Sequence, residues 1–143
     1  MPDAHTKKLG RLLRVRTLQL DMVRAGEVAA REKVAAEQAL RARIEQLAQG
    51  VAPAPAPKPG SATSLIAAAH YRERLHQSAF AAERRVELAE QGLHSARAAT
   101  QEAKRDQTAI EKLVERAEAN AARRAMRALE DMPATARKRH DPC

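Results

Sequence analysis

The sequence predicts an all-α protein in which two long helices form an antiparallel coiled-coil hairpin, the second helix overhanging the first. Charged residues make up 31% of the 143-residue chain, and alanine dominates its apolar residues, a composition typical of long helices. Four of the seven prolines fall between residues 53 and 59, where no helix can continue. Between that segment and Pro133, apolar residues recur at helical spacing over the whole length.

The first predicted helix covers residues 5–49 and has an irregular apolar stripe. The stripe consists of Leu13, Leu20, Val23, Ala30, Val34, Ile44 and Leu47. Near the start of the helix, four further apolar residues are expected to widen it, namely Leu9, Leu12, Val15 and Leu18. Glu27, Glu37 and Arg41 are expected to interrupt the stripe, and Gly26 weakens the helix by about 1 kcal/mol relative to alanine.

The connector, residues 50–63, alternates proline with alanine, which is typical of a semi-rigid extended spacer. Because it joins two long helices, the simplest arrangement is a helical hairpin. We therefore expect residues 1–143 to form a single hairpin domain.

The second predicted helix, residues 64–131, carries a strict seven-residue repeat. Steps of seven from Leu65 and from Ala68 select nineteen positions, and fifteen of them are apolar. We call this line of residues the seam; such a repeat predicts a left-handed coiled coil. Four seam positions are polar and are expected to set the register of the helices rather than to bind a ligand, namely Arg72, Thr100, Gln107 and Arg124. The overhang is expected at residues 110–131, followed by a flexible basic tail at 132–143.

Positive charge is concentrated at the two ends of the chain. The net charge is +4 over residues 1–20, +1 over 21–118 and +3 over 119–143. A hairpin would bring the two basic ends together as one cationic pole. A pI near 10.4 also fits a basic coiled coil that binds nucleic acid, although the aromatic side chains that stack on bases are nearly absent. Passive dimerisation is a further alternative.

The residue pattern gives no reason to expect an enzyme. The five histidines and five glycines are scattered, and Cys143 has no companion cysteine, so we expect no catalytic residue, no metal site and no cofactor. The chain has no run of 18 apolar residues and no secretory signal pattern. We therefore expect a cytoplasmic protein that does not insert directly into a membrane.

Four segments of the sequence carry a resemblance to a known family. They are KKLGRLLRVRTLQ at residues 7–19, YRERL at 71–75, AKRDQ at 103–107 and IEKLVER at 110–116. The first is similar to the opening of the FliJ family, the second to its aromatic-bearing segment after the hairpin turn, and the last two to its late-helix pattern. The FliJ family comprises the small stalk proteins of the bacterial flagellar type III export apparatus, whose injectisome relatives are the YscO-like proteins.

The resemblance implies a non-enzymatic stalk similar to the central γ stalk of rotary ATPases. Its terminal coiled coil would insert into the hexameric export ATPase, and its other end would contact the cytoplasmic domain of the export gate. Some family members also handle export chaperones. The resemblance thus implies a monomeric hairpin that binds no nucleic acid and lies peripherally at the cytoplasmic face of the inner membrane.

The resemblance and the charge distribution together give two candidate surfaces. The ATPase pole comprises Leu9, Arg11, Leu12, Arg14, Arg16, Leu113, Arg116, Arg123 and Arg127. The gate tip comprises Arg43, Gln46, Tyr71 and Leu75, in which an exposed Tyr71 would be the anchor.

Overall fold

Two α-helices account for nearly all of the described chain. The computed structural model describes residues 4–50 and 62–133, in which α1 spans Ala4–Gly50 and α2 spans Ala62–Glu130. These ranges contain no strand. The two helices pack against each other, which confirms the predicted helical hairpin. The helix ends differ from prediction by one or two residues, while most of the predicted connector and tail lie outside the described residues.

The end of α2 is set by Pro133. The backbone N–H of Asp131 donates to the carbonyl of Arg127 at 2.9 Å, and that of Met132 donates to the carbonyl of Leu129 at 3.3 Å. These bonds close the last turn, and Pro133 then supplies no N–H to continue the helix. Arg127 lies in this last turn, where a positive charge interacts favourably with the helix dipole.

The predicted seam of α2 is confirmed along most of the helix. Every seam position from Ala68 to Ala121 is buried or half-buried. All other described residues of α2 are exposed except Asp106, which pairs with Arg16. Burial therefore follows the seven-residue repeat, as expected for a coiled coil.

The stripe predicted on α1 is correct in part. Glu27, Glu37 and Arg41 do not interrupt the buried face, because all three are half-buried members of it. Leu47 is 48% exposed, and Ala48 takes its place. Leu12, Val15 and Leu18 are exposed and so do not widen the face, whereas Leu9 is half-buried.

The contacts divide the chain into two units, each containing part of both helices. Unit 1 comprises residues 1–18 and 104–143, and unit 2 comprises residues 19–103. In unit 1, Arg16 pairs with Asp106, whereas Leu9 shares a groove with Leu113. In unit 2, Val23 contacts Thr100 and Glu37 contacts Arg85. Residue numbers rise along α1 as they fall along α2, so the helices are antiparallel within each unit.

The buried core lies in unit 2 and consists of few large side chains. Its members are Leu20, Val34, Leu75, Ala82, Val86 and Ala89. Leu20 is 1% exposed and is the largest fully buried side chain among the described residues. Because two of the six are alanines, the helices must approach closely for this seam to bury apolar surface. In unit 1, the described seam positions are at most half-buried.

The overhang of α2 is shorter than predicted. His5, Thr6 and Leu9 of α1 line a groove together with Leu113 and Asn120 of α2, so part of the expected overhang at 110–131 has a neighbour. Only from residue 122 onward is every described residue exposed. The prediction assumed that α2 packs from its first turn, whereas residues 62–67 are all exposed.

Candidate functional site

All nine residues of the predicted ATPase pole belong to unit 1. A groove between α1 and α2 contains three of them, Leu9, Leu113 and Arg116. The groove is completed by His5, Thr6, Ala117, Asn120 and Arg124. Leu9 is half-buried and Leu113 is 44% exposed, so the groove has an apolar floor with arginine beside it. A partner side chain could gain both apolar and charge contacts there.

The first turns of α1, within residues 4–18, present exposed cations. Arg11 and Arg14 are exposed and line a shallow depression with Thr6, Lys7 and Gly10. Residues 4–18 contain no Asp or Glu. Within the described part of the chain, Arg11 and Arg14 belong to no ion pair. Their charge is therefore available to an external anion or acidic surface.

Arg16 differs from its neighbours because it contacts α2. Its Nη1 donates to Oδ2 of Asp106 at 3.0 Å, with both side chains partly exposed. A surface pair of this kind stabilises by about 0–1 kcal/mol. Next to it, Nε2 of Gln107 donates to Oγ1 of Thr17 at 3.3 Å. Arg16 therefore helps to join the helices of unit 1, and Gln107 makes a contact of the kind predicted for a register-setting residue.

The remaining arginines of the pole lie near the end of α2. Arg123 and Arg127 line a third depression together with Asn120 and Arg124. Both are exposed, as are the nearby apolar side chains of Met126 and Leu129. Cations from α1 and α2 thus both occur in unit 1, as the charge distribution predicted.

The four residues of the predicted gate tip belong to unit 2 and are not equally accessible. Tyr71 is 48% exposed, and Arg43 and Gln46 are also exposed. Leu75 is only 9% exposed and occupies a seam position, so it packs in the core and is not a surface for a partner. Among the described residues, no hydrogen bond or ion pair joins Tyr71 to Arg43 or Gln46.

Unit 2 contains charged contacts between α1 and α2 that were not predicted. Glu27 accepts a hydrogen bond from Nη2 of Arg31 at 2.6 Å, and Nε of Arg97 lies 3.9 Å away. Further along α1, Oε2 of Glu37 lies 3.2 Å from Nε of Arg85 on α2. Steps of seven reach Glu27 from Leu13 and Glu37 from Val23, so the repeat could have placed both carboxylates on the buried face of α1.

The surroundings of Glu27 favour its charged form. The Thr100 hydroxyl, assisted by Arg31 and Arg97, holds the pKa of the Glu27 carboxyl below its ordinary value despite partial burial. Oγ1 of Thr100 also lies 3.1 Å from the carbonyl oxygen of Ala96 and 3.5 Å from that of Val23. The carboxylate of α1 and the hydroxyl of α2 therefore form one polar layer.

Replacing Glu27 with glutamine should reduce the amount of stability that the protein loses when the pH is lowered. Because the pKa of Glu27 is lowered in the folded state, its contribution is complete above the unfolded-state pKa. That contribution is lost as pH falls through the lower folded-state pKa. Thermal unfolding between about pH 3 and pH 7 should show a smaller acid loss for Glu27→Gln than for the parent. Glu102→Gln, at an exposed position, should retain the parental profile; identical profiles for both variants would contradict this role.

Over residues 4–50 and 62–133, no group of three His, Cys, Asp or Glu side chains is placed to hold a metal ion. Neither of the two described helices is long and apolar enough to cross a membrane.

Comparisons with known proteins give no relatives. No family model matches the chain, and neither the curated proteins nor the solved structures contain a significant match.

Proposed function

We propose that this protein is a non-enzymatic stalk of a bacterial type III export apparatus, binding the hexameric export ATPase through unit 1 and the export gate through unit 2. The observation that carries the proposal is the composition of unit 1. It combines the segment that resembles the opening of the FliJ family with an apolar groove at Leu9 and Leu113 and with exposed cations from both helices.

The chemistry of unit 1 suits a partner with acidic groups around apolar side chains. Arg11 and Arg14 supply charge that no described acid neutralises, and exposed charge of one sign accelerates association with a complementary surface. Leu9 and Leu113 supply the apolar contact. Because α1 and α2 contribute different residues, the surface is asymmetric and would contact successive subunits of a ring differently.

Binding to the cognate export ATPase is the direct test. The full chain should copurify with the ATPase and stimulate ATP hydrolysis, since a stalk acts on the activity of its partner. Absence of both binding and stimulation would contradict the proposal. A Tyr71→Ala variant should keep the ATPase interaction and lose binding to the cytoplasmic domain of the gate.

Reversing the charge of Arg14 should weaken ATPase binding about tenfold, equivalent to about 1.4 kcal/mol. Arg14 is exposed and unpaired among the described residues, so Arg14→Glu should leave helicity and thermal unfolding unchanged. Lys33→Glu is the matched control, because it reverses one exposed cation of α1 within unit 2. Fluorescence titration should show at most a twofold effect for Lys33→Glu. Equal losses in both variants would indicate net charge rather than a specific surface.

Nucleic-acid binding is the second candidate, favoured by the same unpaired arginines. It predicts a steep decrease of duplex DNA affinity with salt, because each phosphate contact releases counterions. Duplex binding with that dependence, together with no ATPase binding, would favour this function over the stalk.

A further inference from the structure

The last turns of α2, all within unit 1, form an amphipathic helix whose apolar side is exposed. Its apolar residues recur at intervals of three and four and form what we call the terminal apolar face: Ala119, Ala122, Ala125, Met126 and Leu129. With 3.6 residues per turn, the five lie within an arc of about 120°. Met132 follows in the turn that closes the helix. The side chains of Met126, Leu129 and Met132 are 60%, 65% and 64% exposed.

The other side of these turns is polar and rich in arginine. Its residues are Asn120, Arg123, Arg124, Arg127, Glu130 and Asp131. Asn120 and Arg124 line a groove with His5 and Thr6 of α1, so the start of α1 lies on the polar side. The terminal apolar face lies on the opposite side of the helix. A helix with apolar residues on one face and cations on the other is typical of segments that lie in the interface of a membrane.

Unit 1 carries almost all of the net charge of the chain. It contains fifteen Lys or Arg and eight Asp or Glu, a net charge of +7, whereas unit 2 has eleven and ten, a net charge of +1. Among the described residues, Arg123 and Arg127 belong to no ion pair. Three further cations follow in the sequence at residues 137–139. Clustered Lys and Arg beside an apolar segment are attracted to anionic lipid headgroups.

This charge also bears on what could cover the terminal apolar face. A second copy of the chain would bring two units of +7 together, and like charges of this size repel. Residues 134–143 contain no Leu, Ile, Val, Met or aromatic residue, so they offer no large apolar side chain to cover Met126 and Leu129. A nucleic acid would contact the arginines and leave the apolar face in water. An anionic bilayer surface suits both sides, because acyl chains take the apolar residues while arginine side chains reach the headgroups.

We infer that residues 119–132 bind the surface of an anionic lipid bilayer, with the terminal apolar face in the interface and Arg123 and Arg127 at the headgroups. Such a segment lies in the plane of the surface, and so differs from the membrane-spanning run for which the sequence gives no sign. The inference does not rest on the export function, because lipid binding is measured without the ATPase. Since both arginines also belong to the predicted ATPase pole, lipid and ATPase would compete for them.

Flotation of the full chain with lipid vesicles tests the inference. The chain should bind vesicles of equal parts phosphatidylcholine and phosphatidylglycerol at least about tenfold more tightly than vesicles of phosphatidylcholine alone. The double variant Met126→Ser, Leu129→Ser should bind the mixed vesicles about tenfold more weakly, because two apolar side chains no longer enter the interface. Phe80→Ser, Leu88→Ser is the matched control, since both side chains are exposed on α2 within unit 2, and it should bind like the parent.

Two results of the flotation experiment would overturn the inference. One is the absence of binding to the mixed vesicles, and the other is an equal loss of binding in the two double variants. Sedimentation of the same proteins reports self-association. A mass above the 15.7 kDa of one chain that falls in Met126→Ser, Leu129→Ser, together with no vesicle binding, would show that a second copy covers the face instead.

Neutralising the arginines tests the contribution of charge. Arg123→Gln, Arg127→Gln should bind the mixed vesicles about fivefold more weakly and leave the weak binding to phosphatidylcholine unchanged. Lys33→Gln, Arg74→Gln removes two exposed cations from unit 2 and should bind like the parent. Equal losses in these two double variants would show that the net charge of the chain, and not this segment, directs it to lipid.

Discussion

Replacing Leu20 with alanine is expected to lower the free energy of unfolding by about 2–5 kcal/mol. Leu20 is 1% exposed and is the largest fully buried side chain in the described residues. Truncation to alanine loses the buried apolar atoms and leaves a cavity, and both effects lower stability. Domains of this size have a total stability of about 5–15 kcal/mol, so this one change removes a large fraction of it.

Urea unfolding followed by circular dichroism measures the effect. The midpoint should fall while the m value stays near that of the parent, because the surface exposed on unfolding hardly changes. Leu88→Ala removes the same atoms from a side chain that is 52% exposed and should cost about 0.5 kcal/mol or less. Similar losses at both positions would contradict the assignment of Leu20 to the buried core.

The seam of α2 could be predicted because its apolar positions rarely miss a step of the repeat. A repeat of this length can be recognised on α2 alone, without knowing which residues α1 contributes. The structure accordingly buries or half-buries every seam position from Ala68 to Ala121. The exposed positions at either end, such as Leu65 and Ala128, could not be identified, because exposure there depends on where α1 begins and ends.

The face of α1 was harder to predict because part of it is polar. Glu27 and Glu37 read as interruptions when only apolar residues define a stripe. They are compatible with the seam because α2 supplies Arg97, Thr100 and Arg85 as neighbours. That neighbourhood depends on the register between segments far apart in sequence, which the pattern of one helix does not contain.

The candidate surfaces could likewise be predicted only in part. The cationic character of unit 1 follows from the net charge of the two chain ends and from antiparallel pairing. Which arginine is paired does not follow, because the partner of Arg16, Asp106, lies on α2 and the register between the helices brings the two together. Leu75 was assigned to a surface although its seam position already predicted the burial that the structure shows.

Enlarging Ala82 to leucine is expected to destabilise the hairpin by about 1–3 kcal/mol. Ala82 is 0% exposed and lies among Leu75, Val86 and Ala89 in the buried core. Alanine at this position lets the backbones of α1 and α2 approach closely, and a leucine would force them apart or adopt a strained rotamer. Each layer of the seam buries little apolar surface. Moving the helices apart at Ala82 would therefore also reduce the contact in neighbouring layers.

Ala81→Leu is the matched control, because Ala81 is exposed on the same turn and the change in helix propensity is nearly the same. Thermal unfolding should therefore show a lower midpoint for Ala82→Leu and an almost unchanged one for Ala81→Leu. Stabilisation by Ala82→Leu would mean that this layer contains space for a larger side chain. The alanines of the seam would then leave the core underfilled, and they would not be the reason that the two helices pack closely.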